Sequence, residues 1–118
     1  MAVNKKITEQ ELLSHLREGE DLLAPLQVSR VELEPLNARD RGFDALVVAT
    51  QPNGGEAFRF VVEAKSSSTR QIVHGAISQV RAQVRQGEHP MILVPYLSPQ
   101  RLDTLEREQV SGIDLCGN

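Results

Sequence analysis

The sequence predicts an α/β fold: a mixed central sheet, in which an antiparallel three-stranded meander is continued by parallel strands, flanked by helices in the order αβββαβαβ. Three observations predict it. A capping-box pattern opens a leucine-rich stretch near the N-terminus. The turn Pro52-Asn53-Gly54-Gly55 separates two apolar runs rich in β-branched and aromatic residues. A second amphipathic stretch then joins two further apolar runs, the pattern of a β–α–β crossover. Composition agrees: 118 residues, 40% hydrophobic and 25% charged, with 8 Gly and 6 Pro, describe one globular domain and exclude a disordered or collagen-like chain.

The first helix starts at the capping box Thr8-Glu9-Gln10-Glu11 and is expected to run to about Glu18, stopping near Gly19. At 100° per residue, Leu12, Leu13 and Leu16 fall in one arc of roughly 100°, and Glu9 falls inside it. After Pro25, residues 28–36 alternate apolar Val31 and Leu33 with Arg30, Glu32 and Glu34, predicting a half-exposed strand. Residues 37–42 read as a polar turn. Residues 43–50 are apolar on both faces, as an interior strand should be. Residues 57–65 form the next strand, and Ser66-Ser67-Ser68-Thr69 is a loop feeding a helix N-cap.

The helix predicted over 70–86 gathers Ile72, Val73, Ala76, Ile77, Val80 and Val84 on one side. Arg70, His74, Arg81 and Arg85 lie opposite, with Gln79, Gln83 and Gln86 along one edge, and Gly87 ends it. Residues 91–94 are a short strand closed by Pro95. Pro99 opens a helix to about Gln109. Residues 110–115 carry enough apolar side chains for a last strand, which Gly112 weakens.

Charge is uneven. The net charge is -3, yet residues 64–87 contain Lys65, Arg70, Arg81 and Arg85 and no acid. Arginine binds phosphates bidentately, so Arg70, Arg81 and Arg85 are candidate contacts to a nucleic-acid backbone. With no Trp and one Tyr, stacking on single-stranded bases is not expected. No apolar run approaches the ~20 residues needed to span a bilayer, and the N-terminus lacks the apolar core of a signal peptide. With one cysteine, Cys116, no internal disulfide is possible, and an intracellular setting is expected. His15, His74 and His89 show no metal-ligand spacing, and Cys116 reads as a small hydrophobe.

The chemistry concentrates on the third strand. Alternation puts Glu63 and Lys65 on one face, and a turn centred between Asn53 and Gly54 puts Asp44 opposite Glu63. A one-residue slip would turn Asp44 to the other face. Two carboxylates so close repel unless a divalent cation neutralises them, and all-oxygen ligands favour Mg²⁺ or Mn²⁺ over Zn²⁺. A lysine beside two carboxylates is held charged, which suits it to orienting a water and offsetting negative charge.

Asp44 within Gly42-Phe43-Asp44-Ala45-Leu46-Val47-Val48, then Val62-Glu63-Ala64-Lys65, then a helix carrying Gln79, resembles the PD-(D/E)xK nuclease superfamily, the restriction-endonuclease-like fold, and its Mrr-like subgroups. Phe43 stands where the motif name has proline. The resemblance implies Asp44 and Glu63 as ligands of a catalytic Mg²⁺ (or Mn²⁺) and Lys65 as assistant to the attacking water. It adds Gln79 and, as the acid of the first helix, Glu9. It implies an endonuclease acting on DNA, duplex or branched, as a homodimer, and a nuclease-like domain over residues 1–118 with room for further sequence after Asn118. Two other readings compete: a catalytically inactive nuclease-like module for nucleic-acid binding or assembly, and an unrelated small α/β interaction domain.

Overall fold

The computed structural model describes residues 8–17, 27–33, 44–52 and 54–115. Helix α1 spans Glu9–Arg17. Its capping box is closed in both directions: Glu11 N–H donates to Thr8 Oγ1 at 3.1 Å, and Thr8 N–H donates to Glu11 Oε1 at 3.4 Å. Nine residues are too few for a helix to persist alone in water. Burial of Leu12, Leu13 and Leu16 holds it on the sheet, each contributing about 1.5–3 kcal/mol. The expected stop at Gly19, the turn over 37–42, Phe43 and Cys116 lie outside the described residues.

The strands are β1 (Gln27–Leu33), β2 (Ala45–Thr50), β3 (Ala57–Ala64), β4 (Glu88–Leu93) and β5 (Ser111–Ile113), in that order across the sheet. The first three pair antiparallel, and β3–β4 and β4–β5 pair parallel. Helix α2 (Arg70–Gln83) connects β3 to β4, and α3 (Pro99–Glu108) connects β4 to β5. The mixed sheet and the order αβββαβαβ are those expected from the sequence. Gly54, at φ +75, closes the β2–β3 turn with its N–H donating to the Gln51 carbonyl at 3.0 Å.

Two cores flank the sheet. Ala45, Val47, Ala49, Phe60, Val62 and Ala64 meet α1, whereas Val61 and Ile92 meet α2 and α3. This alternation decides which way each polar residue at a strand end projects.

Three element boundaries and the burial of one residue differ from the sequence expectation. Helix α2 ends at Gln83 rather than 86, because Val84 turns extended and the chain reverses through Gly87 at φ +84. Strand β4 begins at Glu88, not Met91, and so includes Pro90. Lys65 N–H donates to the Leu93 carbonyl and Val94 N–H to the Ile113 carbonyl, so odd positions of β4 bond β3 and even positions face β5. Pro90 is even and precedes the first β5 pair at Met91↔Ser111, so its missing N–H breaks no bond. Ile72, assigned to the apolar arc, is 39% exposed in the first turn of α2, ahead of the first buried position Val73. The last strand is limited to Ser111–Ile113, with α3 ending at a left-handed Gln109. A Cβ on Gly112 would stand 2.3 Å from Leu105 Cδ1 and 3.0 Å from Leu97 Cδ1, so the glycine lets α3 pack closely. No described helix is long and apolar enough to cross a membrane.

Candidate active site

Glu63 and Lys65 follow Val61 onto the α2/α3 face at the C-terminal end of β3. The Ala45↔Val62 pair ends the β2–β3 ladder, which puts Asp44 one step beyond it, opposite Glu63. Asp44 N–H donates to the Val62 carbonyl at 3.0 Å. Ala45↔Val62 is the last described pair, so among the described residues the next N–H of β3 on that side, Ala64, meets no ladder carbonyl. The Asp44 carboxylate takes its place: Oδ2 accepts from Ala64 N–H at 2.9 Å. A backbone bond thus fixes the aspartate beside Glu63.

Glu63 is 2% exposed, rare for a carboxyl group. Lys65 Nζ lies 3.4 Å from its Oε1, while Oε2 is buried with no hydrogen-bond partner among the described residues. Burial chiefly, and then the negative charge of Asp44, push the Glu63 pKa up to about 7, while Lys65 pulls it down without cancelling them. For stability alone this arrangement is poor: a like-charge pair, one member desolvated, with an oxygen left unsatisfied.

A divalent cation would answer each defect, supplying charge to both carboxylates and a bond to the orphaned oxygen. Among the described residues no group of three or more His, Cys, Asp and Glu is gathered that could hold a metal. Two carboxylates nevertheless fit Mg²⁺ or Mn²⁺, since Mg²⁺ keeps several waters and asks for one or two protein carboxylates. The donor set excludes a thiolate or imidazole site.

The fold resembles that of EndoMS. A solved structure of EndoMS in apo form aligns over 94% of this chain with a TM-score of 0.50 and 17% identity. The chain spans about half, 47%, of the EndoMS chain. At that identity the likeness to EndoMS shows the fold alone. No family model and no curated protein matches the chain.

Glu9 and Gln79, the two accessory residues expected from the resemblance, both lie on helices. Glu9 is exposed in the first turn of α1, whose leucines pack on the opposite face of the sheet. Gln79 is exposed in the third turn of α2, roughly 14 Å along the axis from Arg70. Arg81 Nη1 pairs with Glu108 Oε2 at 3.4 Å, and Arg70 and Arg81 are roughly 16 Å apart along α2.

One polar residue at this end of the sheet escaped the sequence reading. Asp114, fully buried after β5, accepts from Leu97 N–H through Oδ2 at 2.7 Å and so pins the β4–α3 loop. The available signal was an acid inside an apolar stretch, Val110 to Leu115, where a solvated side chain would break the alternation.

Proposed function

We propose that this chain is a divalent-metal-dependent endonuclease that hydrolyses phosphodiester bonds in DNA, with Asp44 and Glu63 as metal ligands and Lys65 orienting the attacking water. The observation that carries the reading is the buried Glu63 carboxyl, one oxygen unpartnered, held between Asp44 and Lys65 at the end of β3. The fold shared with EndoMS and the resemblance of the Asp44 and Val62-Glu63-Ala64-Lys65 segments to PD-(D/E)xK nucleases support it.

Mg²⁺ or Mn²⁺ bound by Asp44 and Glu63 would supply Lewis acidity at a phosphate oxygen and lower the pKa of a water. Asp44 is held rigid by Ala64 N–H, so its carboxylate is positioned before any ligand arrives. Glu63 must give up its proton to serve as a ligand, and Lys65 stabilises the resulting anion. The ammonium of Lys65, 26% exposed at the side chain, also offers donors to a water or to a phosphate oxygen gaining charge. Hydrolysis forms a bond from water oxygen to phosphorus and breaks a phosphorus–oxygen bond of the strand. Glu9 and Gln79 join the proposal as accessory groups, and a homodimer would supply one site for each strand of a duplex.

The test is titration of Mg²⁺ and Mn²⁺ into wild type and D44N, followed by cleavage of supercoiled and linear DNA. D44N is chosen because its amide oxygen still accepts from Ala64 N–H. Saturable binding and cleavage in wild type, both lost in a folded D44N, are expected. Equal metal binding by the two proteins would refute the assignment.

A further inference from the structure

The facing sides of α2 and α3 enclose a groove of about 520 Å³. Arg70 and His74 contribute from α2, and Arg101, Asp103, Arg107 and Glu108 from α3. Every described side chain lining it is polar or charged. Glu108 is committed to Arg81. Arg101 Nε donates to the Ser68 carbonyl at 3.4 Å, leaving its terminal nitrogens for another acceptor. Arg70 and Arg107 form no ion pair among the described residues. The three arginines therefore face one uncommitted carboxylate, Asp103, on a chain of net charge -3. Such an excess of cations lining one groove of an acidic protein is the footprint of an anion site.

We infer that this groove holds the sugar–phosphate backbone of a nucleic-acid strand leading to Glu63 and Lys65, with Arg70, Arg101 and Arg107 contacting phosphates. The identity of the anion rests on the endonuclease reading above. Two observations favour a strand over a single phosphate. Arg101 and Arg107 are six residues apart, roughly 9 Å along α3, between two and three phosphate steps of one duplex strand at about 3.4 Å each. One end of the groove is also tied to the segment that carries the candidate active site: Arg101 holds α3 to the carbonyl of Ser68, three residues beyond Lys65. Phosphate binding therefore falls on Arg70 and two arginines of α3, rather than on the set Arg70, Arg81 and Arg85 suggested by the sequence. Arg81 is neutralised by Glu108, and Arg85 lies past the C-terminal end of α2.

The test compares R70Q/R107Q with R59Q/R85Q, two variants with the same change in net charge at exposed positions, the second pair outside the groove. Binding of a fluorescein-labelled duplex is followed by anisotropy in EDTA, across 50–200 mM salt, to about the same endpoint. R70Q/R107Q is expected to weaken binding by about tenfold or more and to lower the slope of log K against log salt by about 2, near 0.9 per lost contact. R59Q/R85Q is expected to change affinity less than about threefold. Equal losses in both variants would reduce the effect to net charge and overturn the groove assignment, as would no loss in either. Wild type that fails to bind the duplex also overturns it. The catalytic assignment is judged separately by metal binding in wild type against D44N, so either can fail while the other stands.

Discussion

Replacing Glu63 by Gln should stabilise the metal-free protein at pH 8 and leave it nearly unchanged around pH 5. The substitution keeps the shape of the side chain and removes its charge. In the unfolded chain Glu63 titrates near the ordinary value of 4.5, and in the fold near 7. Between those values the native state holds a proton that the unfolded state has released, so stability falls as pH rises through this window. A shift of this size corresponds to about 3 kcal/mol once both forms are ionised. Below pH 4.5 both states are protonated and the contribution is fully retained. The advantage of E63Q over wild type should therefore grow from under about 1 kcal/mol at pH 5 to about 3 kcal/mol at pH 8. Urea unfolding in EDTA at pH 5, 6, 7 and 8 measures it, and the difference between the two proteins cancels the titrating groups that do not interact with Glu63. Saturating Mg²⁺ should close the gap, since a ligand at one hundred times its Kd adds about 2.7 kcal/mol to the protein that binds it. A pH-independent difference, or wild type gaining on E63Q as pH rises, would refute the argument that burial and Asp44 hold Glu63 protonated.

Two further substitutions probe the framework. G112A forces a methyl group against Leu105 and Leu97 and should cost about 1–3 kcal/mol; an unchanged Tm would mean that both leucines move aside freely. D114A removes the acceptor of Leu97 N–H and should cost about 1–3 kcal/mol, with D114N recovering part because its amide oxygen still accepts. Amide exchange at Leu97 reads this directly, and unaltered protection in D114A would show that another group satisfies that N–H.

Much of the fold follows from local chemistry. Thr8 and Glu11 are a matched cap, and their reciprocal bonds form wherever the helix goes. The turn at Gly54 sets the β2–β3 register because Gly54 takes a positive φ without cost, and that register carries Asp44 to the position opposite Glu63. Periodicity misled where the partner, rather than the segment, decides. Pro90 and Gly112 look like strand breakers in isolation. Pro90 is harmless because its nitrogen faces a place that β5 has not yet reached, and Gly112 is needed because α3 presses on it.

The candidate site divides in the same way. Residue type and alternation are properties of the sequence, so Asp44, Glu63 and Lys65 could be nominated from it together with the metal they suit. Burial is not. That Glu63 is sealed, that Asp44 completes an open ladder through Ala64, and that the groove arginines come from two helices follow from packing. Arg101 and Arg107 are far from Arg70 in sequence and meet it only because the β4–α3 loop, pinned by Asp114, returns α3 beside α2. Short-range patterning determined which side chains carry the charge; the tertiary structure decided how far each is removed from water, and therefore why Glu63 holds its proton to a higher pH than an exposed glutamate.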